Sequence, residues 1–309
     1  MIFLLLKFAI KDFIEDREFR NLSPVTIQGY QIDLRNFERY ITEKLNKTNV
    51  EEITKNDIKS YFVYCRNERG NNAVTVNHKL INIRAFFNYL VEEGILEKSP
   101  VEIEKLKTDV RIETFTDEHI RQMLRYYRRL KYRDKSFYAY RDYTIIVTLL
   151  GTGIRRGELC NIRWKDIDLE NDKLIVFGKA RRQRTIPLTK KLKNEFVEYQ
   201  VFYRKHFGGI KEDDYVFVNT LKRQMSENAV QQVFKRLNKV MNFKDVRLSA
   251  HTFRHTFAKY WILNGGDITV LQKILGHTTI EMTNRYLNLF GSAIVEQNDK
   301  FNPLNNLDI

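Results

Sequence analysis

Helix breakers are scarce in this chain, with 4 prolines and 13 glycines among 309 residues. Long helices therefore meet few interruptions, and this limits the fold more than any other feature of the sequence. From Phe8 to about Thr108 apolar residues recur at helical spacing, as in Tyr30, Leu34, Phe37 and Tyr40, and again in Ile81, Ala85, Tyr89 and Leu90. Core packing accounts for both stripes. Ser23-Pro24 reads as a helix start, with Ser23 as N-cap and Pro24 in the first helical position. Asn71 to Thr75 reads as a turn entering a third helix. The apolar opening, Met1 to Leu6, is cut by Lys7, then by Lys11 and Asp12. It is too short for a membrane span or a secretory core and reads as the buried face of a first helix.

Lys98-Ser99-Pro100 stops this pattern, and Val101 to Glu113 alternates charge without a period, as an interdomain linker does. Thr116 can cap a fresh helix. Past Trp164 the signal changes to strands. Lys173 to Phe177 and Thr185 to Leu188 flank the polar stretch Gly178 to Arg184, which predicts a β-hairpin with a long basic turn. Helices resume after Lys190. The expected architecture is mainly α with a small β-sheet: a helical domain over 1–105, a linker over 106–114, and an α+β domain over 115–309.

A hydrophobic fraction of 43% and a charged fraction of 30% describe a folded globular chain rather than a disordered one. The net charge of +14 is unevenly spread. The stretch ending at Thr108 carries about 17 basic and 16 acidic side chains, so the remaining 36 basic and 23 acidic residues hold nearly all of the excess. A surplus serving solubility alone has no reason to concentrate in this way. A polyanion partner does, because neutralising phosphates releases condensed counterions. The two cysteines, Cys65 and Cys160, supply neither a disulfide framework nor a cysteine zinc site, and they fit a reducing cytoplasm.

Four segments of the basic part hold polar residues that a plain core would not select. Gly151-Thr152-Gly153-Ile154-Arg155 follows an apolar run, and its small residues let the backbone turn and present Arg155 at a helix start, three residues before Glu158. The hairpin turn carries Lys179, Arg181, Arg182 and Arg184, a set suited to gripping phosphates. In His251-Thr252-Phe253-Arg254-His255, the i, i+3 spacing puts His251 and Arg254 on one helix face, where both can converge on an anion. Last come Leu275-Gly276-His277 and Tyr286. Gly276 can close one helix, and Thr278 with Glu281 can form a capping box opening the next. Each segment taken singly has an ordinary reading: a helix cap, a solvated turn, a core histidine, a packing tyrosine. There is no His-Glu-x-x-His pattern and no aspartate cluster, so no metal site is expected.

Taken in order, Arg155, Lys179, His251-x-x-Arg254, Gly276-His277 and Tyr286 resemble the tyrosine site-specific recombinase (integrase) family, nearest to Xer-type and transposon-encoded recombinases and resolvases. Ala180 departs from the glycine frequent after the family's lysine. The likeness covers nearly the whole chain, since Ser23 to Thr26 and Tyr30 are similar to the start of the family's helical core-binding (SAM-like) domain. It implies a catalytic domain over 115–309 in which Tyr286 attacks DNA to give a 3′-phosphotyrosine, and strands are exchanged through a Holliday junction without metal, nucleotide or other cofactor. Arg155, Arg254 and His277 would hold the phosphate, His251 would help move the tyrosine proton, and Lys179 would protonate the leaving oxygen. Glu158 would orient Arg155 or His251, and Arg181, Arg182 and Arg184 would grip DNA. The implied partners are a double-stranded recombination site and three further subunits, in a homotetramer on two synapsed sites or a heterotetramer with a second recombinase, with no membrane. An apolar tail face, Leu289, Phe290, Ala293, Ile294, Val295 and Phe301, would dock on a neighbouring subunit. Two other readings remain open here: a type IB topoisomerase that nicks and reseals, and an inactive DNA-binding regulator of the same fold.

Overall fold

The computed structural model describes residues 4–108, 112–178 and 183–289. The chain divides into two compact units, Met1–Val110 and Arg111–Ile309.

The first unit is built from four helices: α1 (Leu6–Phe19), α2 (Pro24–Leu45), α3 (Lys55–Asn67) and α4 (Ala73–Glu92). Ser23 caps α2 by accepting from the Thr26 amide, and Asn72 caps α4 by accepting from the Thr75 amide. Between these lies α3, which the sequence pattern did not single out; Thr54 caps it in a reciprocal box with Asp57. The first apolar run is buried through Leu6, with Ala9, Ile10, Phe13 and Ile14 behind it. Phe13 sits at the centre of this core, its ring edge-on to Tyr30, Phe86 and Tyr89. Ile81, expected in the stripe of α4, faces solvent, and the buried line runs through Leu80, Ile83, Phe86, Phe87 and Leu90. Buried Asp33 on α2 accepts from Lys79 and Asn82 on α4 at 2.9 and 2.8 Å, so the one acidic group inside the unit is paired.

Much of the stretch expected as a linker is secured to one unit or the other. Asn77 both donates to the Leu106 carbonyl and accepts from the Leu106 amide at 2.8 Å, which fastens that strand of chain onto α4. On the far side, the Phe115 amide donates to Thr256 at 2.8 Å and Glu113 accepts from the Arg247 amide at 2.9 Å, both within the second unit.

The second unit contains α5 (Asp117–Asp134), α6 (Phe137–Thr152), α7 (Arg156–Asn161), α8 (Lys190–Phe207), α9 (Glu227–Met241), α10 (Ala250–Leu263), α11 (Ile268–Leu275) and α12 (Glu281–Leu289). A three-stranded antiparallel sheet of β1 (Ile167–Asp168), β2 (Lys173–Phe177) and β3 (Gln183–Pro187) lies between α7 and α8 in the chain. The hairpin is therefore present, but its second strand starts at Gln183, earlier than the pattern implied. Leu174 pairs Ile186 on the buried face. Helix α6 is buried nearly all round, its one charged pair, Arg141 and Asp142, hydrogen-bonded to each other, and it packs against α5, α8 and α10, as a central helix must.

α6 ends at Gly153, which adopts a left-handed φ of 62°. A β-carbon there would lie 2.7 Å from Phe257 Cδ1 and 2.9 Å from Leu275 Cδ2, so the position needs glycine both for its backbone and for its space. Gly208 closes α8 at φ 74° with open space around it. Gly208→Ala should cost only backbone strain of about 1–2 kcal/mol. Gly153→Ala should add an overpacking cost of about 1–3 kcal/mol. Thermal melts of the two variants check this, and equal losses would mean that the crowding at Gly153 relaxes freely.

Candidate active site

Four of the segments picked out in the sequence meet where α6 turns into α7 and where α11 ends. Gly153 releases the chain so that Arg155 takes the N-cap position of α7. The Arg155 amide donates to Glu158 at 2.8 Å and its guanidinium donates to the same carboxylate at 3.0 Å. A second guanidinium nitrogen reaches across to the Gly276 carbonyl at 3.1 Å. Roughly a third of the Arg155 side chain stays exposed, leaving donors free toward solvent.

Arg254 comes from α10, which Ser249 caps. It is buried, and it donates to the Gly153 carbonyl at 2.9 Å and the Leu275 carbonyl at 2.7 Å. Burial first, and then Arg155, bring its pKa down to about 10, which still leaves it charged at neutral pH.

Arg184 sits differently from expectation. Rather than projecting from the turn toward DNA, it belongs to β3 and points inward, donating twice to Glu158 at 2.8 and 2.7 Å and once to the Ile274 carbonyl at 2.7 Å. Its three donor atoms are thus committed inside the protein. Burial alone would raise the Glu158 pKa, but Arg184 and the Arg155 amide outweigh it and hold the carboxylate below its usual range. Lys179, Arg181 and Arg182 lie outside the described residues, as does the tail from Phe290 onward.

Gly276 closes α11 and is followed by His277. The His277 Nδ1 lies 2.8 Å from the buried Thr283 hydroxyl, and its ring is nearly parallel to that of Tyr286, at 6.3 Å and 9°. The expected capping box is not formed: α12 begins at Glu281, two residues later than a cap at Thr278 requires, and the Thr278 hydroxyl instead approaches Met282 Sδ at 3.8 Å.

Tyr286 is 4% exposed and packs against Ala258, Ile262, Leu271 and Leu275. Burial raises the pKa of its phenol, and Arg254 and Arg155 pull against that rise. Its hydroxyl lies 2.7 Å from Nδ1 of His255, a residue to which the sequence pattern assigned no role. His251 is exposed one turn earlier on α10, with its ring centroid 5.9 Å from that of His255. Both histidines line a cavity together with Arg155, Arg156 and Arg247. The signal for His255 was present in the i, i+4 spacing from His251, but spacing alone does not say which of the two meets the tyrosine. Among the described residues no three His, Cys, Asp or Glu side chains gather into a metal-binding group, and no helix is long and apolar enough to cross a membrane.

The family model described as the phage integrase family matches residues 113–292, and that of the phage integrase N-terminal SAM-like domain matches residues 10–94. The chain belongs to the phage integrase family. Among curated relatives of this integrase-family member, the tyrosine recombinase XerC of Caldanaerobacter subterraneus subsp. tengcongensis is 32% identical, covering 91% of this chain and 82% of its own. The tyrosine recombinase XerD of Oceanobacillus iheyensis is 26% identical, covering 97% and 99%. In fold the integrase-family member is similar to the Tn1549 transposon integrase in complex with a circular intermediate DNA, with a TM-score of 0.76, 23% identity and coverage of 90% and 94%. It is also similar to a lambda integrase tetramer bound to a Holliday junction, with a TM-score of 0.73, 17% identity and coverage of 92% and 77%.

The two inner histidines give the site a stability signature. Burial first, with neighbouring charges, brings the pKa of both His255 and His277 to about 4. In the unfolded chain a histidine titrates near about 6.5. Between those values the unfolded state binds more protons, so the stability the neutral rings contribute is present above about pH 6.5 and is lost as pH falls toward 4. Melting temperatures measured from pH 7.5 down to about 4.5 should therefore fall, and fall less in a His277→Gln variant. The same slope in the variant would contradict a buried neutral His277.

Proposed function

We propose that this chain is a site-specific recombinase that cuts and rejoins DNA strands with Tyr286 as nucleophile. The observation that carries the reading is the gathering of two arginines, two histidines and one tyrosine hydroxyl from three separate sequence segments around the end of α11. Packing alone has no use for two arginines and two imidazoles around one phenol.

Tyr286 Oη attacks the scissile phosphorus; the bond from phosphorus to the 5′-oxygen breaks, leaving a 3′-phosphotyrosine and a free 5′-hydroxyl. Covalent catalysis keeps the ester's energy in the protein–DNA bond, so the reverse attack by a 5′-hydroxyl reseals the strand without a nucleotide. The pentacoordinate transition state gathers charge on its non-bridging oxygens. Arg155 and Arg254 offer charged donors for that charge, held in place before DNA arrives, and the neutral His277 ring offers a further N–H donor. Glu158 serves as the anchor for Arg155. Lys179 is the donor to the leaving 5′-oxygen, and Arg181 and Arg182 contact DNA phosphates beside it. The excess positive charge of the second part of the chain supplies the general affinity for the duplex. By analogy with the Holliday-junction tetramer of the lambda integrase, the working form is four subunits on two sites.

A pool of nicked duplexes with randomised cores serves as the substrate. Wild-type protein should form an adduct that survives denaturation, with and without excess EDTA, and Tyr286→Phe should bind the same DNA within about twofold yet form none. Adduct from the Phe variant would remove Tyr286 as the nucleophile, and loss of adduct in EDTA restored by magnesium would overturn the arginine-based chemistry. Binding should weaken steeply with salt, by about a factor of ten or more between 50 and 200 mM, because several phosphate contacts release counterions together.

A further inference from the structure

We propose that His255, rather than His251, takes the phenolic proton of Tyr286 as the nucleophile attacks. This rests on the reading of Tyr286 as nucleophile and adds a catalytic residue to it.

The geometry separates the two histidines. His255 Nδ1 is 2.7 Å from the Tyr286 hydroxyl, with the two rings tilted at 55° and 5.5 Å apart. Among the described residues, no other side chain is hydrogen-bonded to that hydroxyl. His251 lies one helical turn nearer solvent, where it borders the cavity and not the phenol. Both project from one face of α10, which is why sequence spacing alone favours neither.

The surroundings suit His255 to accept a proton. On its own helix it faces His251 and Arg254; from α12 comes Tyr286, and from the turn after α11 comes His277. Across the cavity stand Glu113, Arg155, Arg156, Glu158, Glu227 and Arg247. The cavity's three arginines face three glutamates, and it is burial first, then His251 and Arg254 beside it, that keeps the imidazole neutral with a free lone pair, whereas a charged ring could only donate. The phenol holds its proton more tightly than in water, since burial outweighs the pull of Arg254 and Arg155. Free phenolate is therefore scarce, and the proton must leave while the new bond forms.

In the step, the Oη–H bond breaks as Oη bonds to phosphorus, and the proton passes to His255 Nδ1. The bond from phosphorus to the 5′-oxygen breaks, and that oxygen takes a proton from the cationic donor assigned to Lys179. On resealing, the 5′-hydroxyl returns its proton to that donor, and the His255 imidazolium returns its own to the departing phenolate. No oxidant, reductant or further reactant is needed.

The test measures single-turnover adduct formation on the nicked-duplex pool by the full-length protein. His255→Ala and His255→Gln should slow it about a hundredfold or more, while DNA affinity stays within about twofold. His251→Gln should have a smaller effect. Fluorinated tyrosine at position 286, whose phenol is more acidic, should restore a large part of the rate lost in His255→Ala, because less help is needed to remove the proton. A structural defect would not be repaired in this way. A wild-type rate in both His255 variants, or a loss that the more acidic phenol leaves unchanged, overturns the proposal. Adduct from Tyr286→Phe, or none from wild type, would instead fail the nucleophile assignment and take this inference with it.

Discussion

Three consecutive backbone carbonyls at the end of α11 hold the site together. Ile274 accepts from Arg184, Leu275 from Arg254 and Gly276 from Arg155. The last carbonyls of a helix have no partner within it and carry the negative end of its dipole, so they are natural seats for cations. Three guanidiniums from β3, α10 and the start of α7 are thereby fixed to one point. Glu158 completes the arrangement, taking two hydrogen bonds from Arg184 and two from Arg155. A buried carboxylate left unpaired would cost about 3–5 kcal/mol, and the two arginines between them spare Glu158 that cost.

This arrangement sets what the rest of the unit can do. Arg184 spends its donors internally and serves as a support, whereas Arg155 keeps part of its guanidinium exposed on the cavity side. Arg254 is tied through both terminal guanidinium nitrogens, to the carbonyl of Gly153 two residues before Arg155 and to that of Leu275 two residues before His277. Residues far apart in the chain are thus held in register by main-chain acceptors, which do not change rotamer. The same helix end leads directly into His277 and, through α12, to Tyr286. Donors held in this way need little rearrangement when an anion arrives.

Much of this was legible in the sequence. The caps at Ser23 and Thr116, the turn that enters α4 near Asn72, the turn of small residues before Arg155 and the hairpin all follow local rules, and local rules survive folding. What escaped needed the third dimension. Arg184 looked like one more turn cation because its partner Glu158 lies 26 positions earlier on another element. His255 was passed over because helical spacing orders side chains on a face without saying what comes to meet them. Helix α3 was passed over although its buried positions, Ile58, Tyr61, Phe62 and Cys65, stand at the i, i+3, i+4, i+7 spacing of an amphipathic helix. Strand β1 is only two residues long, too short for any alternation to register.

The most direct measurement of whether the site hangs on the Glu158 network is a double-mutant cycle in thermal and denaturant unfolding, using Glu158→Gln, Arg184→Gln and the double variant. Side chains sharing one buried network couple, so the two single losses should sum to more than the loss in the double variant by about 1 kcal/mol or more. Additive losses, to within about 0.5 kcal/mol, would show that Glu158 and Arg184 contribute independently, and would contradict the account of α11's end as the point to which the site is fixed.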